Sequence, residues 1–343
     1  MTPVIGIFLL LVVAALRLGS SFLLPVAVSG LMALLLAPAV RWLVRRRVPA
    51  ALAAGLIVLG VTAVGVTSLG LLASPAADWL DRAPKSLGQI ERKIRRLAKP
   101  LQQLQQTANK VQQVTQGGVV GGSAPLPSVT VAPVGLLSKL SGTTLSLLGA
   151  LMTVIFLTYF LLASGDRFRE KFADMLPERH RREMAAAIVE MQARMSHFLL
   201  LSTVINAGVG LLTWGALALI NFPNPALWGV VAAVLNFIPY IGAVVTLLVI
   251  GLAGLVTFDT TREPLIAMGA FFVINMIESN IATPMLLGRR LPLNPVAIFI
   301  GLLFWGWVWG ITGAVLAVPL TVLVKVVADR VGPLKAFGEL LDN

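Results

Sequence analysis

Residues 226–258 read ALWGVVAAVLNFIPYIGAVVTLLVIGLAGLVTF, 33 residues without one charged side chain. A helix of that length measures about 50 Å, too long for one upright crossing of a hydrocarbon layer about 30 Å thick and too short for two. Pro239 and Gly242 interrupt the run near its middle, and such residues break or bend helices. A helical hairpin that enters and leaves a membrane on the same side satisfies both the length and the break. The run is continuous rather than alternating, and backbone groups in lipid must be satisfied internally, so it reads as helix and not as barrel strand.

Working outward, the rest of the chain has the same character. Of 343 residues, 57% are apolar and 12% charged, and the mean hydropathy is +0.89. Globular domains carry about a quarter charged residues, so water is not the main solvent here. The other apolar runs are Val4–Leu16, Phe22–Val40, Ala50–Ala73, Gly142–Ala163, Phe198–Ile220, Pro264–Thr283 and Leu293–Val327. The expected fold is all-α and polytopic, with about eight hydrophobic segments, two broken re-entrant-type hairpins and an amphipathic extracytoplasmic helix. The expected organisation is transmembrane helices over 1–73, an outer helix and linker over 74–141 and a transmembrane helix over 142–163. A charged cytoplasmic helical segment over 164–197, a transport region over 198–328 and a cytoplasmic tail over 329–343 complete it. Val4–Leu16 has the length of a signal peptide, yet no charged segment precedes it and another apolar run follows, so it reads as a retained short span.

The formal charge of +12 is distributed as a topology signal rather than as a nucleic-acid face, and no nucleic-acid partner is expected. Arg41, Arg45, Arg46 and Arg47 follow the second run and place that short loop in the cytoplasm. Residues 74–141 then lie outside despite nine basic residues, because long loops translocate largely regardless of charge. Residues 164–197 return to the cytoplasm, with Ile188, Met191 and Met195 at helical spacing. Leu293–Val327 is also overlong and carries Gly310, Gly313 and Pro319. If it too is a hairpin, Arg289, Arg290, Lys325, Arg330 and Lys335 all fall inside. The two overlong runs echo one another: Asn224-Pro225 precedes Gly242-Ala243-Val244 as Asn294-Pro295 precedes Gly313-Ala314-Val315. Hairpins dipping from opposite faces, as in inverted-repeat carriers, and chance similarity of small-residue helices both fit this echo.

Outside the membrane, Leu87, Ile90, Ile94, Leu97, Leu101, Leu104, Ala108 and Val111 alternate in steps of three and four, a heptad seam broken by Pro100. It would bury itself between subunits of an oligomer, or against the protein's own membrane domain or the lipid surface.

In the C-terminal third, Asn236-Phe237-Ile238-Pro239-Tyr240-Ile241-Gly242, Ile277-Glu278-Ser279-Asn280-Ile281-Ala282-Thr283-Pro284, Leu293-Asn294-Pro295 and Gly310-Ile311-Thr312-Gly313 through Pro319-Leu320 occur in order. Leu161-Leu162-Ala163-Ser164-Gly165-Asp166-Arg167, Leu176-Pro177-Glu178-Arg179 and Ala37-Pro38-Ala39-Val40-Arg41-Trp42-Leu43 precede them. This ordered set resembles the autoinducer-2 exporter-like family of membrane transporters. Ser279, Asn294 and Ala243 depart from residues frequent there, which bears on the transported species. The resemblance implies export of a small polar solute such as autoinducer-2, a quorum-sensing furanone precursor, with sodium/proton exchange in some relatives. It also implies homo-oligomeric, pentameric assembly in the inner (plasma) membrane.

The expected transport path comprises Asn236, Pro239, Tyr240, Gly242, Asn275, Glu278, Asn280, Pro284, Gly310, Gly313 and Pro319. Glu278 is the one acid well inside an apolar run of the second half. A carboxylate in lipid is costly and marks either a titrating or cation-binding group or a structural pair, here with Arg289 or Arg290. Proline frees a carbonyl and glycine allows close approach, so a broken helix offers main-chain groups to a solute, although a mere turn at the tip needs the same residues. Trp305, Trp307 and Trp309 read as an interface belt or packing, and Asn206 reads as a residue lining the path or, by preference, as a buried interhelical hydrogen bond. His180 and His197 have no partners at ligand spacing and there is no cysteine, so neither metal nor cofactor is expected. No nucleotide-binding loop or hydrolase motif is present, which favours a secondary carrier over an enzyme. A cation/proton exchanger and a partner-binding membrane scaffold are the competing readings.

Overall fold

The computed structural model describes residues 2–85, 136–165, 178–287 and 294–330. Every regular element among them is helical: α1 (Thr2–Leu18), α2 (Ser20–Arg45), α3 (Ala50–Lys85), α4 (Leu136–Ala163), α5 (Glu178–Leu219), α6 (Pro225–Leu235), α7 (Ile241–Thr257), α8 (Arg262–Ile277), a π-helical turn (Glu278–Ala282), α9 (Thr283–Leu287) and α10 (Pro295–Arg330). Segments Ser20–Arg45, Ala50–Trp79, Val189–Leu219, Arg262–Leu286 and Pro295–Lys325 are long and apolar enough to cross a membrane. The chain is thus a polytopic α-helical membrane protein. The heptad seam Leu87–Val111, together with Arg289, Arg290 and Lys335, lies outside the described residues.

The first two apolar runs form α1 and α2, joined at Gly19 without a loop into one bent rod. Gly19 donates to the Ala15 carbonyl and accepts from Leu23, both at 2.8 Å, the bonding of uninterrupted helix. Its ψ of 10° bends the rod without reversing it. Likewise the charged 178–197 stretch is continuous with the fifth run within α5. Met195 is 3% exposed and packs with Leu31, Leu199, Ala297, Ile298 and Val322.

α2 and α5 run antiparallel: Ser196 donates to the Leu34 carbonyl at 2.6 Å, and Leu199 shares a cluster with Leu31. The two hairpins are framed by this pair. In the first, α6 and α7 are joined by the turn 236–240. With 11 residues, α6 reaches about 16 Å and cannot span a bilayer. Its mouth packs beside the C-terminal end of α5, where Leu217, Phe222, Leu227 and Trp228 form a core with Ile250, Ala253 and Phe271. Close approach needs paired glycines: a Cβ on Gly210 would meet the Gly229 carbonyl at 2.7 Å, and one on Gly229 the Gly210 carbonyl at 2.7 Å.

The second hairpin is α10 itself. Trp309 (φ −124°, ψ 15°) and Gly310 (φ 64°, ψ −147°) leave helical geometry, and a Cβ on Gly301 would run into Thr321 on the returning arm. Although Pro295–Lys325 has the length and composition of a single span, the chain therefore reverses at Trp309–Gly310. Pro319 does not break the helix as expected from its ring; it lies inside the returning arm, because an isolated proline in an apolar helix costs only a local bond that neighbours compensate. The mouth of this hairpin, with Ala297, Ile298 and Val322, sits beside Leu31 and Leu199, while its tip reaches Leu16, Leu23 and Leu24. The two hairpins thus enter the α2–α5 frame from opposite ends.

The sequence echo has a common physical cause in both. Pro225 and Pro295 each start a helix, where a missing N–H costs nothing, after Asn224 or Asn294; the Asn294 side chain accepts from Val296 N at 2.9 Å. Gly242 and Gly313 open the returning arms, and a Cβ on either would overlap a carbonyl oxygen of the outgoing arm, that of Leu235 or Trp305.

Candidate functional site

Asn206 lies near the middle of the apolar part of α5 and is 6% exposed. A carboxamide in such surroundings needs a partner across helices. It finds one at the tip of the first hairpin, where Asn236 Nδ2 donates to Asn206 Oδ1 at 2.9 Å. Asn275 Nδ2 on α8 in turn donates to Asn236 Oδ1 at 3.5 Å. Three asparagines from three elements thus form one amide ladder, with its donors all running from Asn275 toward Asn206.

One turn beyond Asn275 is the half-buried Glu278, which opens the π-helical turn. The turn follows from Pro284, whose ring removes an N–H and crowds the carbonyl four residues back. The helix widens, and Thr283 N donates five residues back to the Glu278 carbonyl. The same widening brings the Thr283 hydroxyl to the Glu278 carboxylate at 2.5 Å. Ser279 and Asn280 bond carbonyls of their own helix, Asn275 at 2.8 Å and Met276 at 2.9 Å. Asn280 is therefore not joined to the ladder. The pairing of Glu278 with Arg289 or Arg290 falls outside the described residues.

Around the ladder, the first tip supplies Pro239 and the strained Tyr240 (φ 62°, ψ −55°), whose ring is 61% exposed and stands apart from the amides. Ile238 of the same tip packs with Leu302, Trp305, Val308, Ala317 and Leu320 of the second hairpin, so the first tip lies against the second hairpin. At the second tip, Gly310 has open space where a side chain would project. Trp305 and Trp309 are buried, whereas Trp307 is 55% exposed. Trp309 Nε1 donates to the Leu16 carbonyl at 3.0 Å, at the bend of the N-terminal rod.

The structure brings together Asn236 and Asn275, with Glu278 one turn further along and Pro284 just past the π-helical turn. It places Gly310, Gly313 and Pro319 on the opposing hairpin. Asn206, singled out in the sequence as an amide in an otherwise apolar run, makes an interhelical hydrogen bond, whereas Thr283, whose signal was its place before Pro284, was not on the expected path. Chemically the arrangement offers uncharged donors and acceptors inside an apolar bundle, beside one carboxylate and two helix breaks.

A helical membrane protein with opposed broken hairpins and a polar ladder at their overlap belongs to the transporter class. The model of the AI-2E family transporter matches residues 6–331, and the chain belongs to that family. It is 29% identical to "AI-2 transport protein TqsA" of Escherichia coli K12 over 98% of this chain and 93% of that protein. It is 28% identical to "Putative transport protein YhhT" of the same organism over 93% of this chain and 87% of that protein. A "Putative transport protein" of Haemophilus influenzae is 25% identical over 93% of this chain and 90% of that one. The protein is accordingly a multi-pass transporter of the inner membrane.

Proposed function

We propose that this protein is a secondary carrier exporting a small polar organic solute of the autoinducer-2 type, with the overlap of the two hairpin tips as its binding site. The observation that carries the reading is the Asn206–Asn236–Asn275 ladder. One buried and two half-buried carboxamides, on α5, the first hairpin's tip and α8, exchange hydrogen bonds with each other when the site is empty and with a hydroxylated solute when it is filled. The 3.5 Å link from Asn275 is the weaker and the one a solute would replace. Gly242 and Gly313 allow the hairpins to close tightly, and rocking of one hairpin past the other would expose the ladder to either side. Similarity to a protein named for AI-2 transport supports the solute class. Homo-oligomeric assembly, pentameric by resemblance, would supply the scaffold.

A second reading, cation/proton exchange, is favoured by Glu278 at the π-helical turn, since an acid within an apolar helix is a default coupling group. Both are tested by flux in proteoliposomes, with autoinducer-2 and without it, under imposed proton or sodium gradients. Saturable, gradient-dependent solute flux supports the carrier; gradient exchange without solute flux supports the exchanger; neither flux leaves a scaffold. In the same assay Glu278→Gln separates coupling from structure: loss of pH dependence is expected, and an unchanged rate with unchanged pH dependence ends the coupling role.

A further inference from the structure

Along α3 the packing is uneven. Near its start Ala53, Ala54 and Val58 are buried, and Gly55 lies against Tyr159 of α4. From Leu59 to Leu71 every residue except Thr62 and Ser68 is exposed, with Leu59 at 67%, Val64 at 68% and Leu71 at 73%. A Cβ on Gly65 or Gly70 would meet nothing. Contact then resumes: Leu72, Pro75, Ala76 and Trp79 are half-buried at helical spacing, and Leu72, Ala76 and Trp79 pack on the core at the mouth of the first hairpin. The helix is seated at both ends and bare between them.

The second seat is aromatic. Trp79 meets the Trp228 ring edge-on, with centroids 5.2 Å apart and planes at 74°. Trp228 Nε1 donates to the Pro223 carbonyl at 3.1 Å, which fixes that ring on α6. Phe222 lies 6.4 Å from Trp228 and 5.6 Å from Phe258, the residue that caps α7. One ring of α3 therefore touches a row that crosses both arms of the hairpin at its open end. Ala50–Trp79 is about 45 Å of helix against a core of about 30 Å, so Leu72–Trp79 stand at the membrane boundary, where water reaches the seat when it opens. Glycine weakens a helix interior, and with no neighbour to stiffen it the bare stretch is the part of α3 that bends most easily.

We infer that Leu72–Trp79 is a strap that seats on the mouth of the first hairpin, lifts as that hairpin rocks, and flexes about the bare stretch around Gly65. The lifting rests on the carrier reading; the seat does not. Trp79 touches no solute in this arrangement. It is a positioning residue that acts through Trp228 and α6 on Asn236 at the far end of the same arm.

The chain contains no cysteine, so Ala76→Cys, facing the hairpin, and Asp78→Cys, exposed on the same turn, each give a single thiol in the full-length protein. In lipid nanodiscs Ala76→Cys should react with a water-soluble maleimide about tenfold more slowly than Asp78→Cys. Adding Trp79→Ala should bring the two rates within about twofold, and Trp79→Phe should keep most of the difference. Equal rates at the outset, or a difference that survives Trp79→Ala, would overturn the seat. Gly65→Ala stiffens the bare stretch without meeting another atom of the chain. It should slow both the Ala76→Cys reaction and autoinducer-2 flux in proteoliposomes about threefold, with KM unchanged and no drop in melting temperature. Unchanged flux would overturn the lifting, and so would a fall in flux that accompanies loss of the oligomer, in favour of a subunit contact at Gly65. The maleimide rates need no solute, so absence of flux in the unmodified protein would count against the carrier reading while those rates still decide the seat.

Discussion

The two hairpins share a construction and differ at their tips. Both start at an Asn-Pro pair and turn back through a glycine packed on a carbonyl of the outgoing arm. The first ends in Asn236, held by amides of two other helices. The second ends in Trp309 and Gly310, an aromatic wedge fixed by one indole N–H to Leu16. A shared backbone device therefore presents a polar end in one hairpin and an apolar end in the other, and the side chain at the tip decides which.

The comparison is broken most completely at the turns. Gly242→Ala and Gly313→Ala each force a methyl into a carbonyl oxygen that the backbone cannot move aside, so flux should fall about tenfold or more, with destabilisation of about 2–4 kcal/mol. Circular dichroism melts and flux in proteoliposomes check this; a tolerated alanine at either site would show that hairpin is loosely closed.

The polar tip is addressed by Asn236→Ala. Flux should fall about tenfold, because two amides lose their partner, while stability changes by about 1–2 kcal/mol. Asn206→Ala should follow it, and the double variant should be no worse than either single one, which a flux-based double-mutant cycle reads directly. Additive losses would mean that the ladder is not one unit.

The apolar tip should be less sensitive. Trp309→Phe keeps the ring in place and removes the bond to Leu16, costing about 1 kcal/mol and less than threefold in flux. The smallest effect belongs to Thr213, 1% exposed with a hydroxyl that has no partner among the described residues. Thr213→Val should leave flux unchanged and stability equal or higher by about 1 kcal/mol, measured as a shift in melting temperature.

Much of this architecture could be read from residue order. Run length and Pro239 with Gly242 marked the first hairpin, because a helix too long for one crossing and too short for two must fold back. The second tip was harder. Gly310, Gly313 and Pro319 all had the chemistry of a break, but only Gly310 adopts φ 64° and ψ −147°, a region essentially restricted to glycine. Pro319 is accommodated within a helix. At Arg17-Leu18-Gly19-Ser20-Ser21 the residues of a loop and of a bent helix are the same, and one ψ angle separates them. The ladder was half legible: each amide in an apolar run asked for a partner, but the pairing of Asn206 with Asn236 depends on how deep the first hairpin reaches. Thr283 acquires its role only through the π-helical widening that Pro284 imposes.

The central claim is that the hairpins open to opposite sides of the membrane. In intact cells, single cysteines introduced by Asn224→Cys and Asn294→Cys, one at each mouth, report this through a membrane-impermeant maleimide. Asn224→Cys should label from outside and Asn294→Cys only after the membrane is opened. Labelling of both from the same side would contradict the account.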